Sequence, residues 1–438
     1  MADARLGHGL RRAGLRVVIG VLAGATAIGV VAPAAFAAGP ALAPQRAEVA
    51  ALPAAPATSV WDKDLQGALN GAVANRGDSA VLASVRVDGR TVWKGSGGVS
   101  DLASGAPVDA DGAFRIGSVT KTFVSTVVLQ LVADHKVRLD DPIEHYLPGV
   151  VPNGQHITVR QLLNHTSGIY NYTEDPQFEL KTDADLRQWL RSGRWKTYQP
   201  RELVDIATAH APGFEPGTKW SYSNTNYILA GMLIQQVTGR SWADQVERRI
   251  IRPLGLQHTF MPTTSAAIPG PNAHGYLKMP SGPVDITLFN PSVASSAGAG
   301  ISTTADLTRF NAALLGGRLL GPAELAEMKT TVPAAPGLDY GLGLMKLQGT
   351  CGDLWGHNGS TPGFLTFVLG DAEGHRQVAV SYNPYDPAYA GPSGQAVNRL
   401  LNSGGCGTTS AASAAAEPAA PGTAQQPALA DPGVFLRF

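Results

Sequence analysis

Cysteine is nearly absent from this chain of 438 residues: Cys351 and Cys406 are its only two. A framework of clustered thiols is thereby excluded. Neither an H-E-x-x-H motif nor a Cys/His cluster with metal-ligand spacing occurs, so no metal or organic cofactor is expected. Net charge is missing too. The 34 lysines and arginines balance 34 aspartates and glutamates, with no basic block in the body of the chain, which argues against nucleic acid as a partner. The N-terminal apolar run, 17–31, falls short of the roughly twenty residues that span a bilayer. It follows Arg5, Arg11, Arg12 and Arg16 and precedes Ala35-Phe36-Ala37. That is the pattern of a signal peptide over 1–37, so a secreted protein with no stable membrane span after cleavage is expected, by a route left open. In an exported chain the two cysteines either form a disulfide or stay as buried free thiols. No internal repeat and no G-x-S-x-G elbow occurs, so a triad serine of that kind has no support.

Large apolar residues are scarce in two further stretches, the Ala/Pro-rich linker 38–58 and the Ala/Pro/Ser/Gln-rich tail 408–438. Neither buries enough surface to offset the entropy of ordering it, and the tail is expected to be disordered. A folded body of 59–407 remains. Within it, 79–87 and 91–97 alternate and are joined at Asp88-Gly89, a hairpin signal. Helical patterns dominate 120–254. Strands are expected over 340–347, 365–370 and 377–382, and a closing helix over 396–401. Strands at both ends of a long helical middle predict an α+β arrangement with the active site between lobes.

Three short motifs carry chemistry. Ser118-Val119-Thr120-Lys121 puts a nucleophile and a candidate base one turn apart on one helix face. The helix behind them is apolar on two adjacent rows, Phe123/Val127/Leu131 and Val124/Val128/Val132, and so reads as buried and rigid. Ser221-Tyr222-Ser223-Asn224 lies on an expected loop ahead of a helix starting near Tyr227. Gly356-His357-Asn358-Gly359-Ser360 lies at the expected start of the strand 363–370. Singly, each reads as readily as a helix cap, a core tyrosine or a turn histidine.

Together and in this order they resemble the S-x-x-K, Y-x-N and [K/H]-x-G triplet of the serine penicillin-recognising enzymes. Within these, the chain resembles the class C-type branch and its secreted D-alanyl-D-alanine carboxypeptidases of Streptomyces type. Similar stretches include FRIGSVTKTF from Phe114, ITVRQLLNHTSGIYNY from Ile157 and PGFEPGTKWSYSNTNYILAGMLIQQVTGRSW from Pro212. The resemblance runs from near Trp61 to near Cys406. It implies the β-lactamase/DD-peptidase-like fold, an antiparallel sheet flanked by helices plus an all-α lobe, in a monomeric serine DD-peptidase. Peptidoglycan stem peptides or other D-amino-acid peptides would be substrates, and β-lactam antibiotics covalent inhibitors or substrates. It also implies a Cys351–Cys406 disulfide.

Carried over by position, the resemblance makes Ser118 the acylated nucleophile, with Lys121 or Tyr222 taking its proton. Asn224 would bond Lys121 and the substrate amide. His357 would polarise Tyr222 or help bind a carboxylate beside Asn358, Gly359 and Ser360. The backbone N–H groups of Ser118 and Ser360 would form the oxyanion hole. Two departures stand out. Asn358 replaces the usual threonine. Met345 and Lys346 follow Tyr340–Leu344 where the carboxypeptidases carry an arginine for the substrate carboxylate. Strand alternation points Met345 and Lys346 to opposite faces. A class C-like β-lactamase, an esterase or D-amino-acid amidase of the same fold, and a non-catalytic binding member are the alternatives.

Overall fold

The computed structural model describes residues 60–74, 77–180, 182–279, 282–386 and 390–407. The stretches expected to be a signal peptide, a linker up to 58 and a tail from 408 lie outside the described residues. An eight-stranded antiparallel sheet organises the body. Its strands are β1 (Asp78–Val87), β2 (Arg90–Gly98), β3 (Val332–Ala335), β4 (Leu338–Tyr340), β5 (Met345–Gly349), β6 (Gly352–Thr361), β7 (Phe364–Gly370) and β8 (Arg376–Pro384). They lie in the order β2-β1-β8-β7-β6-β5-β4-β3. The expected N-terminal hairpin forms β2 and β1. Asp88 and Gly89 both take left-handed φ, 44° and 79°, as a two-residue turn between twisted strands requires. The hairpin then pairs with the last strand, Val81 opposite Tyr382, so the two ends of the body meet in mid-sheet.

The helices that place the site are α1 (Val60–Ala74), α2 (Thr120–Ala133), α3 (Asn224–Thr238), α4 (Thr304–Leu315) and α5 (Ala390–Cys406). α1 presents Leu65, Leu69 and Ala72 at helical spacing, and α5 presents Val397, Leu400 and Leu401. Both cover the sheet face formed by Val81, Ala83, Val85, Phe367, Leu369, Val378 and Val380. Each fully buried leucine here is worth about 2 kcal/mol of transfer free energy. The other face packs on α4 and the helical region. Phe310 of α4 stacks on Phe123 of α2 with ring centroids 3.6 Å apart. Phe123, Val127 and Leu131 of the first row and Val124 and Val128 of the second are inaccessible, as is Leu129, while Val132 is partly buried, so α2 is buried nearly as its two apolar rows predict.

Three expectations need correction. The segment 340–347 is two strands, β4 and β5, because the chain turns at 341–344, where Leu163 O and Met328 O take backbone N–H groups of the turn. The His-Asn-Gly motif sits in β6, the strand before the one expected. Its two glycines, Gly356 and Gly359, read as loop, but β7 pairs with it from Trp355 to Thr361. The closing helix is longer than expected, Ala390–Cys406. Cys406, its last residue, is disulfide-bonded to Cys351 in the turn before β6, with Cα atoms 5.6 Å apart and a sequence separation of 55. A closed loop of that size contributes about 4 kcal/mol in the chain-entropy model.

Candidate active site

Ser118 sits in a single 3₁₀ turn, Gly117–Val119, that runs directly into α2. The turn is pinned from both sides. The Thr120 hydroxyl donates to Gly117 O at 2.7 Å and accepts from Gly300 N–H at 3.0 Å. One turn on, Lys121 is completely buried. Its Nζ lies 2.9 Å from Ser118 Oγ, 2.7 Å from Asn224 Oδ1 and 2.7 Å from the carbonyl of Ala297. Burial holds the Lys121 pKa well below the ordinary lysine value. Asn224 Oδ1 and Ala297 O only accept, so each takes an N–H bond from Nζ; in the neutral amine that burial favours, the remaining lone pair faces the Ser118 hydroxyl.

Asn224 is the first residue of α3, not a loop residue as expected, and the helix start fixes its direction. Its backbone N–H donates to Asn171 Oδ1 at 3.0 Å, and its Nδ2 to Thr173 Oγ1 at 3.2 Å. Tyr222, two residues earlier, lies in the extended approach to the helix. Its ring centroid is 4.8 Å from Lys121 Nζ. Burial raises the Tyr222 pKa above the usual phenol value, partly offset by the adjoining Ser118 hydroxyl. The two candidate bases are thus driven apart: the amine toward its neutral form and the phenol toward its protonated form.

The sheet contributes a backbone edge. β5 pairs with β6 only as far as Gly356 opposite Met345, so 357–361 run on beside the Ser118 turn. Two glycines permit the approach. Gly117 has φ +49°, and a Cβ built on it would lie 2.6 Å from Ser360 N. A Cβ on Gly359 would lie 1.9 Å from Ile116 O and 2.9 Å from Ser118 N. The backbone nitrogens of Ser118 and Ser360 are therefore brought to one place, as an oxyanion hole requires.

The third motif's side chains behave differently from expectation. By strand parity Asn358 and Ser360 share the face of Phe367 and Leu354, which packs under α1 and α5. Ser360 offers the site its backbone. His357 points the other way and is inaccessible, but it reaches Tyr340, not Tyr222: Nε2 is 2.7 Å from Tyr340 Oη, and Nδ1 bonds Asn358 O. Burial pushes its pKa down to about 3, with the Asn358 carbonyl opposing. A buried neutral imidazole does not provide the charge for a carboxylate. Met345 is 8% exposed, and Lys346 pairs instead with Asp353 at 3.2 Å and Asp339 at 3.5 Å.

Several contributors had no individual signal in the sequence. Ala297 acts through its carbonyl, which any residue carries. Asn171, Thr173 and His165 lie in or next to the Ile157–Tyr172 stretch, which resembles the family without a motif that assigns them roles.

A family profile described as Beta-lactamase matches residues 65–397. A solved D-stereospecific amidohydrolase from Streptomyces sp. is 41% identical with a TM-score of 0.70, covering 79% of this chain and 99% of that one. A D-amino acid amidase from Ochrobactrum anthropi SV3, complexed with L-phenylalanine amide, is 30% identical with a TM-score of 0.69, covering 78% and 98%. The putative penicillin-binding protein PbpX of Bacillus subtilis is 28% identical over 292 residues, 66% of this chain and 67% of that protein. With this breadth of match and an S-x-x-K serine, lysine and Y-x-N tyrosine gathered at one point, the chain belongs to the beta-lactamase family of serine hydrolases.

Proposed function

We propose that this protein is an exported serine amidohydrolase that acylates Ser118 with D-amino-acid amides, esters or peptides, without requiring a free carboxylate beyond the scissile bond. The observation that carries this reading is at β5. Met345 occupies the position where a carboxypeptidase resemblance calls for arginine, Lys346 is engaged by two aspartates, and His357 is neutral and buried. A buried carboxylate needs a charged or multiply hydrogen-bonding partner. The likeness to the Streptomyces and Ochrobactrum amidases supports the same choice.

In this mechanism Lys121 Nζ takes the Ser118 proton as Oγ attacks the carbonyl carbon. The oxyanion is held by the N–H groups of Ser118 and Ser360. As the C–N bond breaks, Tyr222 Oη gives its proton to the departing amine and regains one from Lys121. Water then attacks the acyl-enzyme carbonyl and gives its proton to the same Lys121/Tyr222 pair, and Lys121 returns a proton to Ser118 Oγ as the acyl C–O bond breaks.

The sequence reading as a DD-carboxypeptidase is the second candidate, favoured by similarity to PbpX. Matched D-Ala-D-Ala acid, amide and ester substrates separate the two. We expect comparable kcat/KM for all three, and higher selectivity for the acid in Met345→Arg. A thousandfold wild-type preference for the acid, roughly 4 kcal/mol, would establish the carboxypeptidase reading instead. Intact-mass and peptide mapping after benzylpenicillin should place any adduct on the Ser118 peptide. An adduct that survives Ser118→Ala would remove the assigned nucleophile.

A further inference from the structure

We propose that His165 is a positioning residue for Tyr222: it clamps the chain on both sides of the tyrosine and supports the ring from below. The inference rests on the reading that Tyr222 moves the proton to the leaving group.

The clamp has two points. The carbonyl of His165 accepts from Ser221 N–H at 3.0 Å, and its Nδ1 accepts from Ser223 N–H at 3.2 Å. These are the residues immediately before and after Tyr222. Between the two bonds the imidazole lies against the Tyr222 ring, with centroids 4.2 Å apart and planes at 36°. One residue thus fixes the backbone of Tyr222 and the plane of its ring. An ordinary strand partner would fix only the backbone.

His165 is itself held in an unusual state. It has φ +61°, a left-handed conformation that few non-glycine residues adopt, and it is inaccessible to solvent. Such strain persists only where surrounding structure over-determines it. Nδ1 also faces Asn226 Nδ2 at 3.2 Å, so two donors converge on that nitrogen and the ring proton belongs on Nε2. Nε2 is buried with no polar partner. The ring edge instead meets Tyr340, centroids 4.8 Å apart and planes at 62°. A second proton would have to sit on Nδ1 between the two donors, breaking the clamp. Burial holds the pKa well below the ordinary histidine value, which keeps Nδ1 an acceptor.

The test compares His165→Phe, which keeps a ring without the acceptor, and His165→Asn, which keeps a side-chain acceptor and tolerates the left-handed backbone. Each is made alone and in a Tyr222→Phe background, with circular dichroism as the folding check. Substrates are a D-phenylalanine amide, whose leaving amine must be protonated, and the matched p-nitrophenyl ester, whose leaving group needs no proton. His165→Phe should lower kcat for the amide about a hundredfold and for the ester far less. His165→Asn should recover much of that loss. Added to Tyr222→Phe, either change should cost less than about threefold.

Equal losses on amide and ester, or full multiplication of the two losses, would overturn the assignment while leaving the role of Tyr222 intact. A Tyr222→Phe enzyme with wild-type amide turnover would overturn both. Should His165→Phe fail to fold, His165→Ala, which also lacks the acceptor, carries the same comparison. A loss in the wild-type background that is absent in the Tyr222→Phe background supports the clamp, and one equal in both backgrounds refutes it.

Discussion

The two sides of the site use the polypeptide in opposite ways. The helical side supplies side chains: Ser118, Lys121, Tyr222 and Asn224, bonded to one another and to Thr173, Asn171 and Ala297 O. The sheet side supplies chiefly backbone, a strand edge from His357 to Thr361 whose glycine lets it press against the Ser118 turn. Proton transfer needs matched pKa values, and burial shifts those only for side chains enclosed among others. Holding a developing oxyanion needs N–H groups that are already aimed, which a hydrogen-bonded strand supplies without further ordering. Damage on the helical side should therefore appear as a coupled loss of proton transfer. Damage on the sheet side should appear as a loss of oxyanion stabilisation alone.

The largest expected effect lies in the proton pair. Lys121→Ala and Tyr222→Phe should each slow acylation by about a thousandfold, and the double variant should be little worse, since in the proposed mechanism both groups move one proton. Pre-steady-state acylation rates for the three variants are the measurement. Losses that multiply fully would give the two residues separate tasks.

Gly359→Ala breaks the other side. Its Cβ would sit 1.9 Å from Ile116 O, and neither backbone can give way cheaply. We expect the two oxyanion donors to part and kcat to fall by about 3 kcal/mol of transition-state stabilisation, on the order of a hundredfold. Amide and ester turnover should suffer alike, because the oxyanion forms with both. An amide-selective loss would mean that the sheet edge also serves proton transfer, and the division between the two sides would fail.

A smaller effect concerns stability. The His357 pKa is pushed down to about 3 in the fold, so between the ordinary histidine value and that point the unfolded chain binds a proton that the folded one refuses. This contribution to stability is present near neutrality and is lost as pH falls from about 6.5 toward 3. Asp78 acts in the opposite direction: burial pushes its carboxyl up to about 7, so its contribution is greatest in acid and is lost as pH rises toward 7. Urea unfolding of wild type and His357→Gln at pH 7, 5 and 4 should show the variant gaining on wild type as pH falls. A constant gap would mean that His357 takes up its proton without cost.

Much of this was legible from local pattern. The hairpin at Asp88-Gly89 follows from turn chemistry, and the burial of α2 follows from two apolar rows. The meeting of Ser118 and Lys121 follows from one helical turn. α1 has equally good spacing, Leu65, Leu69 and Ala72, but only the sheet face it covers distinguishes it from the Ala/Pro-rich linker alongside. β6 was misplaced because Gly-His-Asn-Gly has poor strand propensity, and only pairing along β7 makes it a strand.

Side-chain identity sets which residues can do chemistry and in what order they come, because a nucleophile, an amine and a phenol are properties of side chains. Folding sets what each of them is bonded to. It gave His357 to Tyr340 and Lys346 to a pair of aspartates. It set Ala297 O against Lys121 and His165 beneath Tyr222. The reason is physical. A pKa, a tautomer or a hydrogen-bond partner depends on dielectric and distance, and both are fixed by residues far away in the chain that folding brings within about 3 Å.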